Sequence, residues 1–193
     1  MYDTRAIDQP PRNATMANDT DLIKLYSGRI LALAADIPHH IRLDGPKATV
    51  KKRAPLCGST VTVDVDVKDG VISGFGQDVK ACALGQAAAA VTGGAVIGRS
   101  LDEVIIARDA LRDMLKNDGP VPAAPFDGFE VLEPARDYKN RHASILLAIE
   151  ATVEAMEQAV QSDCAYHPQD IPKISPEPEQ KKRRTSRRVA AQG

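Results

Sequence analysis

Tryptophan is absent from this chain, and its 193 residues include only three Phe and four Tyr. Its core must therefore be aliphatic and alanine-rich, and aromatic platforms for stacking bases are excluded. An excess of charge is missing too, since 25 Lys and Arg face 26 Asp and Glu. A near-neutral chain lacks the basic footprint of a protein that binds nucleic acid over its whole surface. Long apolar runs are scarce. The stretch that best tests for a membrane span, Ala81 to Gly98, carries no charge but contains four Gly, a Gln and a Thr. It reads as a close-packed soluble helix with no place in a membrane. The polar start, Met1 to Arg5, has no apolar signal region. Three cysteines are an odd number for a disulfide framework. The expectation is a cytoplasmic chain with free thiols or metal ligands.

Composition divides the chain in three. Residues 1–19 are polar and aperiodic and read as a disordered arm. Residues 167–193 carry Pro168, Pro172, Pro176 and Pro178, then the basic run Lys181 to Arg188, and read as a disordered basic tail. That tail is a solvated extension, or an arm for weak contacts with phosphate-rich partners. Residues 20–166 form the domain.

The domain opens with a helix, capped at Thr20 or Asp21 and ended by Pro38. One strand falls within Lys47 to Pro55. Thr60 to Val67 alternates: Val61, Val63, Val65 and Val67 on one side, Thr60, Thr62, Asp64 and Asp66 on the other. That is a strand with one wet face. Lys68-Asp69-Gly70 is a hairpin turn, and Val71 to Val79 is the returning strand, loosened by Gly74 and Gly76. Ala83 to Val91 is a helix of strong formers. Ser100 with Glu103 makes a capping box for a helix to about Lys116. Residues 120–136 are Pro-rich and irregular, and a last helix starts at Asp137 or Tyr138. Strands before helices give an α+β fold: an N-terminal helix, a three-stranded antiparallel meander, then helices on one face of the sheet.

Two thiols lie at the ends of the meander. Cys57 is in the turn entering the alternating strand, and Cys82 is where the returning strand meets a helix. A thiol at a helix N-terminus faces the positive end of the macrodipole, which favours the thiolate. Without a Cys-x-x-Cys knuckle, the pair reads as metal ligands or as small buried hydrophobes. His142, at the start of the last helix, is alone a cap or surface residue. Cys164-x-x-His167 lies about 33 Å of helical rise beyond His142, too far to join a site there. His39-His40 reads as a surface turn.

In order along the chain, Ala54-Pro55-Leu56-Cys57-Gly58-Ser59, the Asp69-Gly70 hairpin, Lys80-Ala81-Cys82-Ala83-Leu84, Gly98-Arg99-Ser100-Leu101-Asp102-Glu103 and Arg141-His142-Ala143-Ser144-Ile145-Leu146 resemble the NifU/IscU-type iron–sulfur cluster scaffold family. The leading Leu25-Tyr26-Ser27 fits as well, and the likeness spans residues 22–160. The resemblance implies a non-enzymatic scaffold. Such a protein holds iron or zinc, or a transient two-iron two-sulfur cluster, on three cysteines with an Asp or His nearby. Its partners are a cysteine desulfurase and recipient iron–sulfur apoproteins. By position, Cys57 matches the first cysteine, Cys82 the second and His142 the histidine before the third. Ala143 stands where the family has that third cysteine, which also accepts persulfide sulfur, and Ser59 where it has an Asp. The family's Pro-Pro-Val-Lys chaperone segment is not recognisable before His142. Cys57, Cys82 and His142 thus leave one position of a four-ligand site open. Two alternatives are a relative that only docks assembly partners and a zinc-binding regulatory module.

Overall fold

The structure, a computed structural model, describes residues 28–55 and 57–164. The expected arm and tail, the opening turns of the first helix and the basic run lie outside these residues. Within them the order is α1 (Gly28–Ala35), β1 (Ala48–Arg53), β2 (Thr60–Lys68), β3 (Val71–Lys80), α2 (Ala83–Ala95), α3 (Leu101–Lys116), a 3₁₀ run (Asp127–Asp137) and α4 (Lys139–Cys164). The sheet is an antiparallel meander in the order β1-β2-β3. The expected α+β fold is the one observed.

α4 is the central pillar. It packs across β1 and β2 on one side and against α2 and α3 on the others. From Ile145 to Ile149 every residue is buried, because neighbours surround the helix. α2 is buried almost all round as well, from Leu84 to Gly93. Alanine serves this position doubly: it is the best helix former, and it lets neighbouring backbones approach. The capping box at Ser100 forms as expected, with Ser100 N donating to Glu103 Oε2 at 2.8 Å and Glu103 N donating back to Ser100 Oγ at 3.3 Å.

Two expectations are corrected. Residues 127–137 are not irregular but wind as 3₁₀ helix, burying Phe129, Leu132 and Ala135. The second correction is larger. The polar face of β2 is not wet: Asp64 is 0% exposed and Thr62 only 7%. The segment from His39 to Lys47 lies across it as a strap. Asp64 holds the strap by accepting bonds from the Arg42 guanidinium (Nη2 at 2.8 Å), from Leu43 N at 3.0 Å and from Thr49 Oγ1 at 2.6 Å. Gly76 pairs with Asp64 and shares its face. A Cβ there would stand 2.5 Å from the Ile41 carbonyl oxygen, so the strap fits flat only over glycine. The same strap shields the edge of β3, where Gln77 N donates to His39 O at 2.9 Å and Val79 N to His40 Nε2 at 3.3 Å. His39-His40 is the expected surface turn with this added role.

Asp64→Asn is expected to cost about 2–3 kcal/mol in urea unfolding at pH 7, since a charged, multiply bonded acceptor is lost. Burial pushes the Asp64 carboxyl up, but the bonds from Arg42, Thr49 and Leu43 outweigh it and hold its pKa below the usual range. A depressed pKa stabilises the fold fully above the unfolded value of about 3.9 and loses that contribution as pH falls through the folded value. The difference between wild type and Asp64→Asn should therefore shrink in acid. A gap that stays constant to pH 2 would contradict this assignment.

Candidate functional site

Cys57 sits in the tight loop from β1 to β2. Ala54 N donates to Ser59 O at 2.9 Å and Gly58 N donates to Ala54 O at 3.1 Å. Gly58 has φ of +70°, a left-handed conformation that suits glycine. The loop leaves Cys57 exposed. Cys82 is the N-cap residue of α2, half-buried, with its carbonyl already accepting from Gln86 N.

Two buried hydroxyls connect these thiols. Cys57 Sγ lies 3.1 Å from Ser59 Oγ, Ser59 Oγ accepts from Ser144 Oγ at 3.0 Å, and Ser144 Oγ lies 3.4 Å from Cys82 Sγ. The chain has a natural direction. Ser144 gives its proton to Ser59, so the Ser59 proton is available to the Cys57 sulfur, while the Cys82 thiol can donate to Ser144. Cys57 is thereby the acceptor end, where a thiolate is best supported. Its pKa is lowered by the Ser59 hydroxyl first, against the opposing effect of burial, with further help from the Ser59 amide and Ser144.

The approach of α4 to α2 makes this possible. A Cβ at Gly85 would stand 2.5 Å from Ser144 Oγ and 3.0 Å from the Ser144 carbonyl oxygen. Any larger residue there would separate Ser144 from Cys82.

His142 is 5% exposed, one turn into α4. Its Nε2 lies 3.0 Å from the carbonyl oxygens of both Ala135 and Arg136. Carbonyls only accept, so Nε2 is the donor to them. A ring held through one nitrogen by backbone carbonyl is the arrangement that orients a ligating histidine, and it also ties the 3₁₀ run to α4. Successive α-helical residues are turned by about 100°. His142 and Ser144 therefore point about 200° apart, with Ala143 between them. Among the described residues no three His, Cys, Asp or Glu side chains form a group able to hold a metal ion. The structure joins Cys57 to Cys82 through Ser59 and Ser144, and places His142 two residues before Ser144, on another side of α4.

The helix α4 is continuous to Cys164, so the backbone does not fold back to bring that residue to His142. Sequence reasoning missed the part played by Ser59 and Ser144. Nothing in the local spacing signals it, because the two serines that bond to each other lie 85 residues apart. Sequence reasoning also missed a cleft of about 680 Å³ lined by His142 and Ala143, the strand end Lys52 to Ala54, and Leu115, Leu146 and Leu147 among others, a lining that includes neither cysteine. No helix among the described residues is long and apolar enough to cross a membrane.

No protein-family model and no curated protein matches the chain. Solved structures do, in 28 chains. A nitrogen-fixing NifU-like protein (N-terminal part) from Brucella abortus is 42% identical, with a TM-score of 0.71, covering 73% of this chain and 98% of that one. A putative iron–sulfur cluster assembly scaffold protein for the SUF system from Fervidobacterium islandicum is 18% identical, with a TM-score of 0.62, covering 68% and 96%, and shares the fold. A hypothetical protein at 22% identity and TM-score 0.60, covering 72% and 98%, shares it too. With the meander, the paired cysteines and the helix order in place, the chain belongs to the NifU/IscU-type family, as a relative of its NifU-like N-terminal domains.

Proposed function

We propose that this chain is a cytoplasmic iron–sulfur cluster assembly scaffold. It receives iron, and sulfur from a cysteine desulfurase, holds them as a labile two-iron two-sulfur cluster, and passes the cluster to recipient apoproteins. It turns over no substrate. Cys57, Cys82 and His142 are its ligands, and zinc would occupy the same donors. The observation that carries the reading is the hydrogen-bonded convergence of Cys57 and Cys82, which are remote in sequence. Soft thiolates suit iron, zinc and cluster sulfide chemistry. The held imidazole of His142 suits it as well.

A second reading, docking of assembly partners without cargo, is favoured by one observation: no third donor joins the two thiols among the described residues. Anaerobic reconstitution with iron and sulfide separates the two. The scaffold reading expects a visible charge-transfer spectrum that Cys57→Ser and Cys82→Ser each abolish. Capture of a desulfurase by a chain that stays colourless would select docking instead.

Metal titration gives a second check. Zinc affinity should fall at least tenfold in the double variant Cys57→Ser/Cys82→Ser, and equal affinities would remove the thiols from the site. The network itself is tested by alkylation. Cys57, exposed and supported as thiolate, should react with iodoacetamide before Cys82 at pH 7. Ser59→Ala should slow Cys57 by roughly two- to tenfold, because its largest support is gone. An unchanged rate would show that the hydroxyl does not govern the thiol.

A further inference from the structure

We propose that the cleft at the start of α4 docks a short acidic segment of a protein partner, one whose carboxylates flank an apolar residue and a single basic one. The proposal goes beyond cluster assembly and does not depend on it.

The cleft, about 680 Å³, is walled by the end of β1, the end of α3 and the start of α4. Part of its charge is already answered. Lys52 meets Glu150 and Glu154, and Arg136 meets Glu133. Arg53, Lys116 and Lys139 have no acidic partner among the described residues, and Asp118 and Asp137 have no basic one there. Two of these five charges oppose the helices beside them. Lys139 is the first residue of α4, whose first turn holds no acid. A helix N-terminus favours an acid and repels a cation. Asp118 follows Asn117, the C-cap of α3, at the end that favours a cation. Neither placement helps its helix, and no partner among the described residues offsets it. Exposed charges that their own helices disfavour are placed for something outside the fold.

The spread of these charges selects the occupant. All five are exposed and sit on three elements. A single exposed ion pair contributes little, so a small ion that meets one or two of them gains little. A polyphosphate would be repelled by Asp118 and Asp137. A peptide segment meets several at once. Its carboxylates accept from Arg53, Lys116 and Lys139, and its basic residue donates to Asp118 and Asp137. The floor, formed by Leu115, Leu146 and Leu147, is closely packed and only 2–3% exposed. It offers a shallow apolar seat for one side chain, with no deep pocket for a cofactor. Pro55 also lines the cleft and belongs to the loop that presents Cys57. A partner docked here touches that loop, while the segment itself leaves the thiols free, since neither lines the cleft.

The probe is an acetylated, fluorescein-labelled peptide of nine residues with a central leucine, three glutamates and one lysine. Its control has glutamine in place of each glutamate. Fluorescence anisotropy on the metal-free full chain, at about 50 mM salt, should show the acidic peptide binding at least tenfold tighter than the control, with affinity falling as salt rises. Lys116→Glu/Lys139→Glu should weaken it at least tenfold. Lys139→Glu alone should weaken it too, while its melting temperature equals or exceeds that of wild type, because the exchange suits the helix end. Absence of binding overturns the proposal. Binding indifferent to these substitutions belongs to the basic run Lys181 to Arg188 and overturns it as well. Free succinate that displaces the peptide at equal molar concentration would assign the cleft to small dicarboxylates and overturn the peptide. A lowered melting temperature in Lys139→Glu would show that Lys139 serves the fold, and would overturn the reading of its placement. Reconstitution with iron and sulfide reports separately: a chain that stays colourless yet binds the peptide loses the cluster and keeps the docking cleft.

Discussion

The site exists because two helices come closer than side chains normally permit. At Gly85 the backbone of α2 meets Ser144 of α4 where even a methyl group would collide with the hydroxyl and the carbonyl. Everything polar at the site follows from that contact. It brings Ser144 to Cys82 on one side and to Ser59 on the other, and through Ser59 to Cys57. The alanine run from Ala87 to Ala90 continues the close approach along α2. A larger-residue helix would fill the core equally well and move the N-terminal end of α2 out of reach. Small residues here serve position as much as packing.

The sheet makes the other half of that frame, and its rigidity is secured from the unexpected side. With helices on one face and the strap on the other, β2 is buried on both, unlike the half-exposed strand its alternation suggests. A buried carboxylate is costly unless its oxygens are bonded, and Asp64 meets that condition with three donors from the strap and one strand neighbour's hydroxyl. The strap in turn reaches the edge of β3 through His39 and His40. The ends of β2 and β3, which carry the approaches to Cys57 and Cys82, are thus held from both faces.

Local signals were legible wherever a residue's role was set by its immediate neighbours. The hairpin at Asp69-Gly70, the capping box at Ser100 and the alternation of Val61, Val63 and Val65 each predict the element observed. The position of Cys82 at a helix start was legible for the same reason. What was not legible depended on distant partners. Asp64 looks solvent-facing because its partner Arg42 lies 22 residues earlier. Gly76 looks like a weakness in a strand until the Ile41 carbonyl is placed above it. Ser59 looks like a poor metal ligand, and its bond to Ser144, 85 residues away, has no sequence signature. Residues 127–137 carry a proline at Pro134 that speaks against an α-helix, yet 3₁₀ winding accommodates it.

On the proposed reading, the two serines set how firmly cargo is held. With Ser59 and Ser144 between the thiols, the cysteines, in the absence of metal, are neither bare nor in conflict: each sulfur has a hydroxyl partner. Loading a metal exchanges those bonds, worth about 0.5–1.5 kcal/mol each, for coordination by three donors. A carboxylate in place of Ser59 would add charge attraction for the incoming cation, and a thiolate in place of Ala143 would close the ligand set. This chain has neither, so the loaded state gains less and the unloaded state loses less. Both differences act in the same direction, toward a shallow holding site that releases what it receives.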